Sequence, residues 1–374
     1  CRKKPKRVAT RSSRSGALNL PNSNVRPDQI GITVQHSGAH PAALKKAAIF
    51  AYRIPLVRPI PSAGLLLTQR EGLVLQLRQG SACGWGEAAP LPGFSPESLE
   101  QSQQDLQRLA SIWLDDKPPT EVACPSARFG LSCALHELQQ GPLHEPTPLI
   151  GHPLLQGDPE SIRQQWQLRS STTPPRSIKL KLARQSLEAE ISLVQQLLAQ
   201  TPELKLRIDC NQGWNLAQAA AFLAVIPMSA IEYLEEPCHV LQHSLQLSTQ
   251  TGVPLALDES LRQPGFYLPE HSGIQALILK PSLIGSLTQL YDSIHLAQQR
   301  GLRAILSSSY ESSLGLSQLA ALASQLTPLE PPGLDTAAAF SVNLLRASDP
   351  TKATFGIKDL SCVWRGASAS GVHQ

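Results

Sequence analysis

From residue 178 onward, short apolar runs recur along the chain, and nearly every one ends in a charged residue. The runs cover residues 178–182, 204–209, Ile231–Glu235, 254–258, 276–280 and 303–307. Helical patterns over 186–200, 216–225, 242–251 and 286–300 lie between them. Alternating β and α segments at this spacing imply parallel strands joined by right-handed crossovers. Six such units in close succession favour a closed barrel over an open doubly wound sheet. No GxGxxG follows any strand to support the open alternative.

The charges fall at the C-terminal ends of these runs. Lys179 and Lys181 stand in the first, Asp209 closes the second, Glu235 the third, Asp258 the fourth and Lys280 the fifth. They recur every 22–28 residues, about one βα unit, so all six point into one mouth, the face of a parallel barrel where catalytic groups gather. Taken singly, an Asp after a strand is more often a helix N-cap than a ligand, and a strand-end Lys is usually solvated. Together, three acids on consecutive strands flanked by lysines are hard to ascribe to chance.

Three converging carboxylates repel and raise one another's pKa unless a cation sits among them. Oxygen ligands without His or Cys select a hard ion, and Mg²⁺ suits them, with Mn²⁺ as a substitute. Lys179 and Lys181 share a strand face. Like charge and the metal are expected to lower the pKa of one of them so that it can act as a base. With Lys280 on the far side, the arrangement suits removal of a proton α to a carboxylate, the metal holding the enediolate.

Residues 48–150 read as a separate α+β unit. Apolar segments at 49–55, 65–68 and 72–77 form a meander. Ser95 is expected to cap a helix with Pro96 at its first position, running to Leu114, and a second helix covers 127–140, closed by Gly141. The barrel is expected over 151–345, and residues 346–374 are expected to return toward the first unit.

Residues 1–47 carry ten Lys or Arg against one acid, Asp28, and no hydrophobic periodicity. They read as a disordered basic extension, with an organellar transit role or nucleic-acid or membrane binding as alternatives. Seven cysteines without a CxxC argue against a disulfide framework or a zinc site and for a reducing, cytoplasmic compartment. No apolar stretch is long enough to cross a bilayer. The expected partner is a small carboxylate substrate, with no nucleic acid and no membrane; the oligomeric state is open, a monomer included.

The chain resembles the enolase superfamily, and within it the o-succinylbenzoate synthases of the muconate-lactonizing-enzyme-like subgroup, over about residues 48–345. The resemblance rests on Gly84-Trp85-Gly86-Glu87 with Pro90-Leu91-Pro92-Gly93-Phe94-Ser95, and on Lys179-Leu180-Lys181 and Asp209-Cys210-Asn211. It extends through Glu235-Glu236-Pro237, Asp258-Glu259-Ser260, Lys280-Pro281-Ser282, Ser307-Ser308-Ser309 and Pro332-Gly333-Leu334-Asp335-Thr336. It implies a modified (β/α)8-type barrel of (β/α)7β build beneath an N-terminal α+β capping domain. It also implies Mg²⁺-dependent syn-dehydration of 2-succinyl-6-hydroxy-2,4-cyclohexadiene-1-carboxylate in menaquinone or phylloquinone biosynthesis. Lys181 would be the acid/base, Lys179 its tuner and Lys280 the opposite amine, with Asp209, Glu235 and Asp258 on the metal. Ser307 and Gly333 would meet the succinyl arm through the backbone, and Arg207 would help order the site.

Rival readings keep the same residues. N-acylamino acid racemisation, dipeptide epimerisation and muconate cycloisomerisation use the same lysine frame. A class I aldolase would form a Schiff base at Lys181 or Lys280. A non-enzymatic scaffold would act through its basic tail.

Overall fold

The computed structural model describes residues 43–62, 64–117, 124–143, 151–171 and 174–368. The basic extension lies outside them except for its last five residues. All described residues belong to one compact unit, Ala39–Gln374.

The cover begins with strand β1 (Lys45–Ser62), followed by β2 (Leu65–Gln79) and β3 (Ala82–Ala88), paired antiparallel in that order. The two short runs at 65–68 and 72–77 are one strand, because Gly72 pairs with Tyr52 and carries the ladder through. Helices α1 (Leu99–Leu114) and α2 (Pro125–Gln140) pack on this sheet through Leu106, Leu109, Ala110, Ala127 and Ala134. Ser98, not Ser95, caps α1, in a capping box with Gln101. Ser95 lies in the preceding turn, where its hydroxyl accepts the Leu91 amide at 2.8 Å.

Glycine at 84 and 86 sets how closely α2 lies on β3. A Cβ at Gly86 would fall 1.8 Å from the Gly130 carbonyl oxygen, and one at Gly84 1.9 Å from that of Ala134. Both clashes are with backbone, which cannot turn aside. Gly86→Ala is therefore expected to cost about 3 kcal/mol, the upper end for overpacking, read as a lower urea midpoint at unchanged slope.

The barrel strands are β4 (Leu154–Leu155), β5 (Ser177–Lys181), β6 (Lys205–Asp209), β7 (Ile231–Glu235), β8 (Leu255–Leu257), β9 (Ile274–Leu279) and β10 (Arg303–Leu306). They form one parallel sheet in sequential order. The crossovers carry α3 (Pro159–Ser170), α4 (Leu187–Gln200), α5 (Leu216–Leu223), α6 (Leu241–Thr251), α7 (Pro281–Ile284) with α8 (Leu287–Gln299), and α9 (Ser313–Leu326). After β8 there is only the short 3-10 turn Glu259–Arg262. Residues 332–335 close the ring. The Gly333 amide donates to the Leu306 carbonyl at 2.8 Å, and on the other side the His152 amide donates to Pro332 at 2.8 Å. The architecture is thus a modified (β/α)8 barrel of (β/α)7β build under an α+β cover.

Inside the barrel, Tyr233, Ala256, Ala276, Ile278 and Ile305 form a small core. Ion pairs of Arg207 with Glu232 (2.6 Å) and Arg303 with Glu330 (2.7 Å) lie at the strand positions away from the mouth. The two short strands β11 (Asn343–Leu344) and β12 (Thr354–Phe355) follow. The last strand, β13 (Ser361–Ala367), pairs antiparallel with β1 and completes the cover sheet.

Two buried polar residues join cover to barrel. Glu87 accepts the amides of Ser312 (2.9 Å) and Gly315 (2.8 Å) at the N-terminus of α9, and a hydrogen bond from Tyr52 of β1. Arg70 donates to the carbonyls of Pro90 (2.8 Å) and Tyr310 (3.0 Å), from the cover and the barrel respectively. No helix among the described residues is long and apolar enough to cross a membrane.

Candidate active site

Strand alternation sorts the residues. On β5, Ile178 and Leu180 are buried in the outer core, which turns Lys179 and Lys181 into the barrel. Register then places Lys181 beside Asp209 and Asp209 beside Glu235. Glu235 pairs with Ala256, so Asp258 stands two residues further out. Lys280 follows directly on β9.

Lys179 Nζ bridges two acids, 2.6 Å from Glu235 and 3.0 Å from Asp209. Lys181 Nζ is 3.6 Å from Asp209 and 3.4 Å from Asn211 Oδ1. Lys280 pairs with Asp258, and Arg262 approaches the same carboxylate at 3.6 Å. The three acids are essentially excluded from solvent. Burial alone would raise Asp209, but Lys179, Lys181 and Lys280 hold it below the usual carboxylate range. Glu235 is pushed up to about 8 by burial and by Asp209, against the pull of Lys179.

The lowered amine expected at the lysine pair is not found at Lys179. Burial opposes its charge, but Asp209 and Glu235 raise it well above the ordinary value. Lys280 is raised too, its burial outweighed by Asp258 and Glu259.

Among the described residues no three acid, His or Cys groups converge closely enough to hold an ion as they stand. The ammonium groups of Lys179 and Lys280 engage those carboxylates instead. The donor set nevertheless fits a hard dication. It consists of three buried carboxylates on adjacent strand ends, one of them, Glu235, raised by burial and by Asp209. Beside them Glu259 has a buried Oε2 with no partner and is pushed up to about 7 by burial and by Asp258.

A cavity of about 290 Å³ opens over these groups. Lys179, Lys181, Asp209, Lys280, Ser307 and Gly333 line it, and the cover contributes Pro61, Ser62, Leu91 and Phe94. The Phe94 ring sits 4.9 Å from Lys280 Nζ and 4.8 Å from the Arg262 guanidinium. A larger groove of about 780 Å³ runs alongside past Arg262 and Phe266. Glu235 and Asp258 are absent from the lining of the smaller cavity, and Asp258 lines the larger groove. Arg207, expected among the substrate contacts, is absent from its lining. It is held one layer lower by Glu232 and by the Pro331 carbonyl at 3.2 Å.

Several supporting residues escaped the sequence reading. Glu236 accepts the amides of Asp258 (2.9 Å) and Ser260 (2.8 Å), fixing the turn after β8. Asn211 donates to Glu259 at 3.0 Å while its Oδ1 faces Lys181. Ala183, Asn211, Gln212, Glu236 and Tyr310 all hold positive φ without being glycine, and all lie just beyond strand ends at the mouth. Such strain clusters at functional sites. The Asn and second Glu were visible beside the metal-strand acids, but nothing in the sequence showed that their backbones turn left-handed.

Known proteins match this arrangement in both halves. The family described as "MenC, N-terminal domain" matches residues 44–138, and "Enolase C-terminal domain-like" matches residues 163–344. The chain is 37% identical over 327 residues to the o-succinylbenzoate synthase of Edwardsiella ictaluri (strain 93-146), covering 86% of this chain and 100% of that relative. Among solved structures it is similar to the o-succinylbenzoate synthase of Thermosynechococcus elongatus BP-1 complexed with Mg in the active site. That match has a TM-score of 0.62 and 25% identity, over 79% of this chain and 94% of the other. The L-Ala-D/L-Glu epimerase of Bacillus subtilis shares the fold at TM-score 0.68 and 18% identity, over 79% of this chain and 91% of the other.

Proposed function

The chain belongs to the o-succinylbenzoate synthase family, and from that premise we propose how its residues divide the work. The reaction is loss of water from 2-succinyl-6-hydroxy-2,4-cyclohexadiene-1-carboxylate, giving 2-succinylbenzoate for quinone biosynthesis. Lys181, as the free amine, takes the proton from the ring carbon that bears the carboxylate. The same amine, now an ammonium, gives that proton to the departing hydroxyl on the neighbouring carbon. Water leaves, the ring becomes aromatic and Lys181 is again a free amine.

Lys280 remains an ammonium on the opposite face and stabilises the negative charge that develops on the carboxylate. Lys179 holds Asp209 and Glu235 in register and orients Lys181. Asp209, Glu235 and Asp258 would hold Mg²⁺, or Mn²⁺ in its place. The bound ion supplies positive charge for the enediolate. Ser307, Gly333 and Phe94 wall the cavity around the arm and ring, and Arg207 supports the floor beneath.

One observation carries this reading. Lys181 and Lys280 reach a single cavity from β5 and β9, with three intervening strands that bear the acids. The six cysteines among the described residues are free, which supports a reducing, cytoplasm-like compartment.

Ultraviolet detection of the aromatic product is the test. Turnover is expected with Mg²⁺, and loss is expected on chelation with recovery on adding the metal back. Rapid α-proton exchange on an N-acylamino acid without aromatisation of the cyclohexadiene acid would replace this reading with racemisation.

A further inference from the structure

We propose that Arg184 is a specificity residue that captures the terminal carboxylate of the succinyl arm. This rests on the reaction assigned above, in which the substrate carries two carboxylates. One belongs on the ring, among the amines. The other needs a partner at the end of the arm.

The backbone groups nominated for the arm are already engaged. The Gly333 amide donates to Leu306 at 2.8 Å, and its carbonyl accepts the Ser308 amide at 3.0 Å and the Ser307 hydroxyl at 3.2 Å. The Ser307 amide donates to Leu279 at 2.8 Å. These bonds close the barrel, so breaking them to bind a ligand would open the ring.

The cations tell a complementary story. Lys179, Lys181 and Lys280 are each ion-paired with an acid. Among the described residues lining the cavity, Arg184 is the one lysine or arginine without an ion pair. Its Nη2 donates to the amide oxygen of Asn211 at 3.2 Å, which leaves the rest of the fork at the exposed lip. Its base is fixed in advance. Ala183 adopts φ 61°, and the Arg184 amide donates at 2.8 Å to Glu190, a buried residue of α4. A planar fork on a fixed backbone suits bidentate carboxylate recognition.

The test compares two ligands by calorimetry on the Mg²⁺-loaded full chain: 2-succinylbenzoate, and 2-butanoylbenzoate, in which a methyl replaces the terminal carboxylate. Arg184→Gln is expected to weaken 2-succinylbenzoate about tenfold, as for one charge-assisted contact at an exposed lip, and to leave 2-butanoylbenzoate unchanged. KM for the dehydration should rise by a similar factor with kcat moving far less, and Arg184→Lys should recover part of the loss. Equal weakening of both ligands, a fall confined to kcat, or no change in either ligand would overturn the assignment. A wild-type chain that binds both ligands but forms no aromatic product would overturn the reaction instead, leaving the comparison at Arg184 intact.

Discussion

Lys181→Ala is expected to reduce turnover by about a thousandfold or more, since one amine serves first as base and then as acid, and each role contributes about 10²–10⁴. The protein should stay folded and keep its metal affinity. Lys181 has only loose contacts, at 3.6 Å to Asp209 and 3.4 Å to Asn211, whereas Lys179 spans the two acids. Lys181→Arg sharpens the point. It keeps a positive charge but cannot lose a proton near neutral pH, so it should be as inactive as the alanine variant. A near-normal rate of aromatisation in either variant would remove Lys181 from its assigned role.

Asp209→Asn is expected to weaken Mg²⁺ by about a hundredfold or more, measured by calorimetric titration of the ion alone. Three lysines hold Asp209 as an anion despite its burial, so the substitution removes a full charge and not one already quenched by a proton. Lys179 and Lys181 would then face the site with less compensation, opposing a dication further. Unchanged Mg²⁺ affinity in Asp209→Asn would show that the ion, if it binds, sits elsewhere.

The sequence exposed the acids and lysines because a strand buried in a barrel reads as an apolar run, and the charged residue at its C-terminal end marks the mouth. That signal depends on a few neighbouring residues, and it placed Asp209, Glu235, Asp258 and Lys280 on adjacent strand ends. Where an element is short or polar the signal vanishes. β4 has two residues, and the closing segment at 332–335 is defined by hydrogen bonds of Pro332 and Gly333, with no apolar run. Ser95 and Ser98 both precede acidic residues in a proline-containing stretch; Gln101, three residues after Ser98, completes a capping box there, while the turn at Leu91 occupies Ser95.

Long-range partnerships were equally hidden. Glu87 stood out within a motif, but the helix it caps lies 225 residues away. The spacing of the lysine pair sets two like charges beside each other and a metal, with one of the two expected to be lowered. In three dimensions the nearest neighbours of Lys179 are carboxylates, which reverses the sign of its shift.

The pairing of β13 with β1 bears on how the molecule is made. β1 is an 18-residue strand, and its outer neighbour β13, at Ser361–Ala367, is synthesised only after the whole barrel that lies between them in sequence. Until then that flank offers unpaired backbone groups to any passing strand, the situation that leads to intermolecular association. Proline at 55, 59 and 61 interrupts its donor row only toward the far end, so the stretch from Lys45 to Ala51 must be shielded by some other means while synthesis is under way.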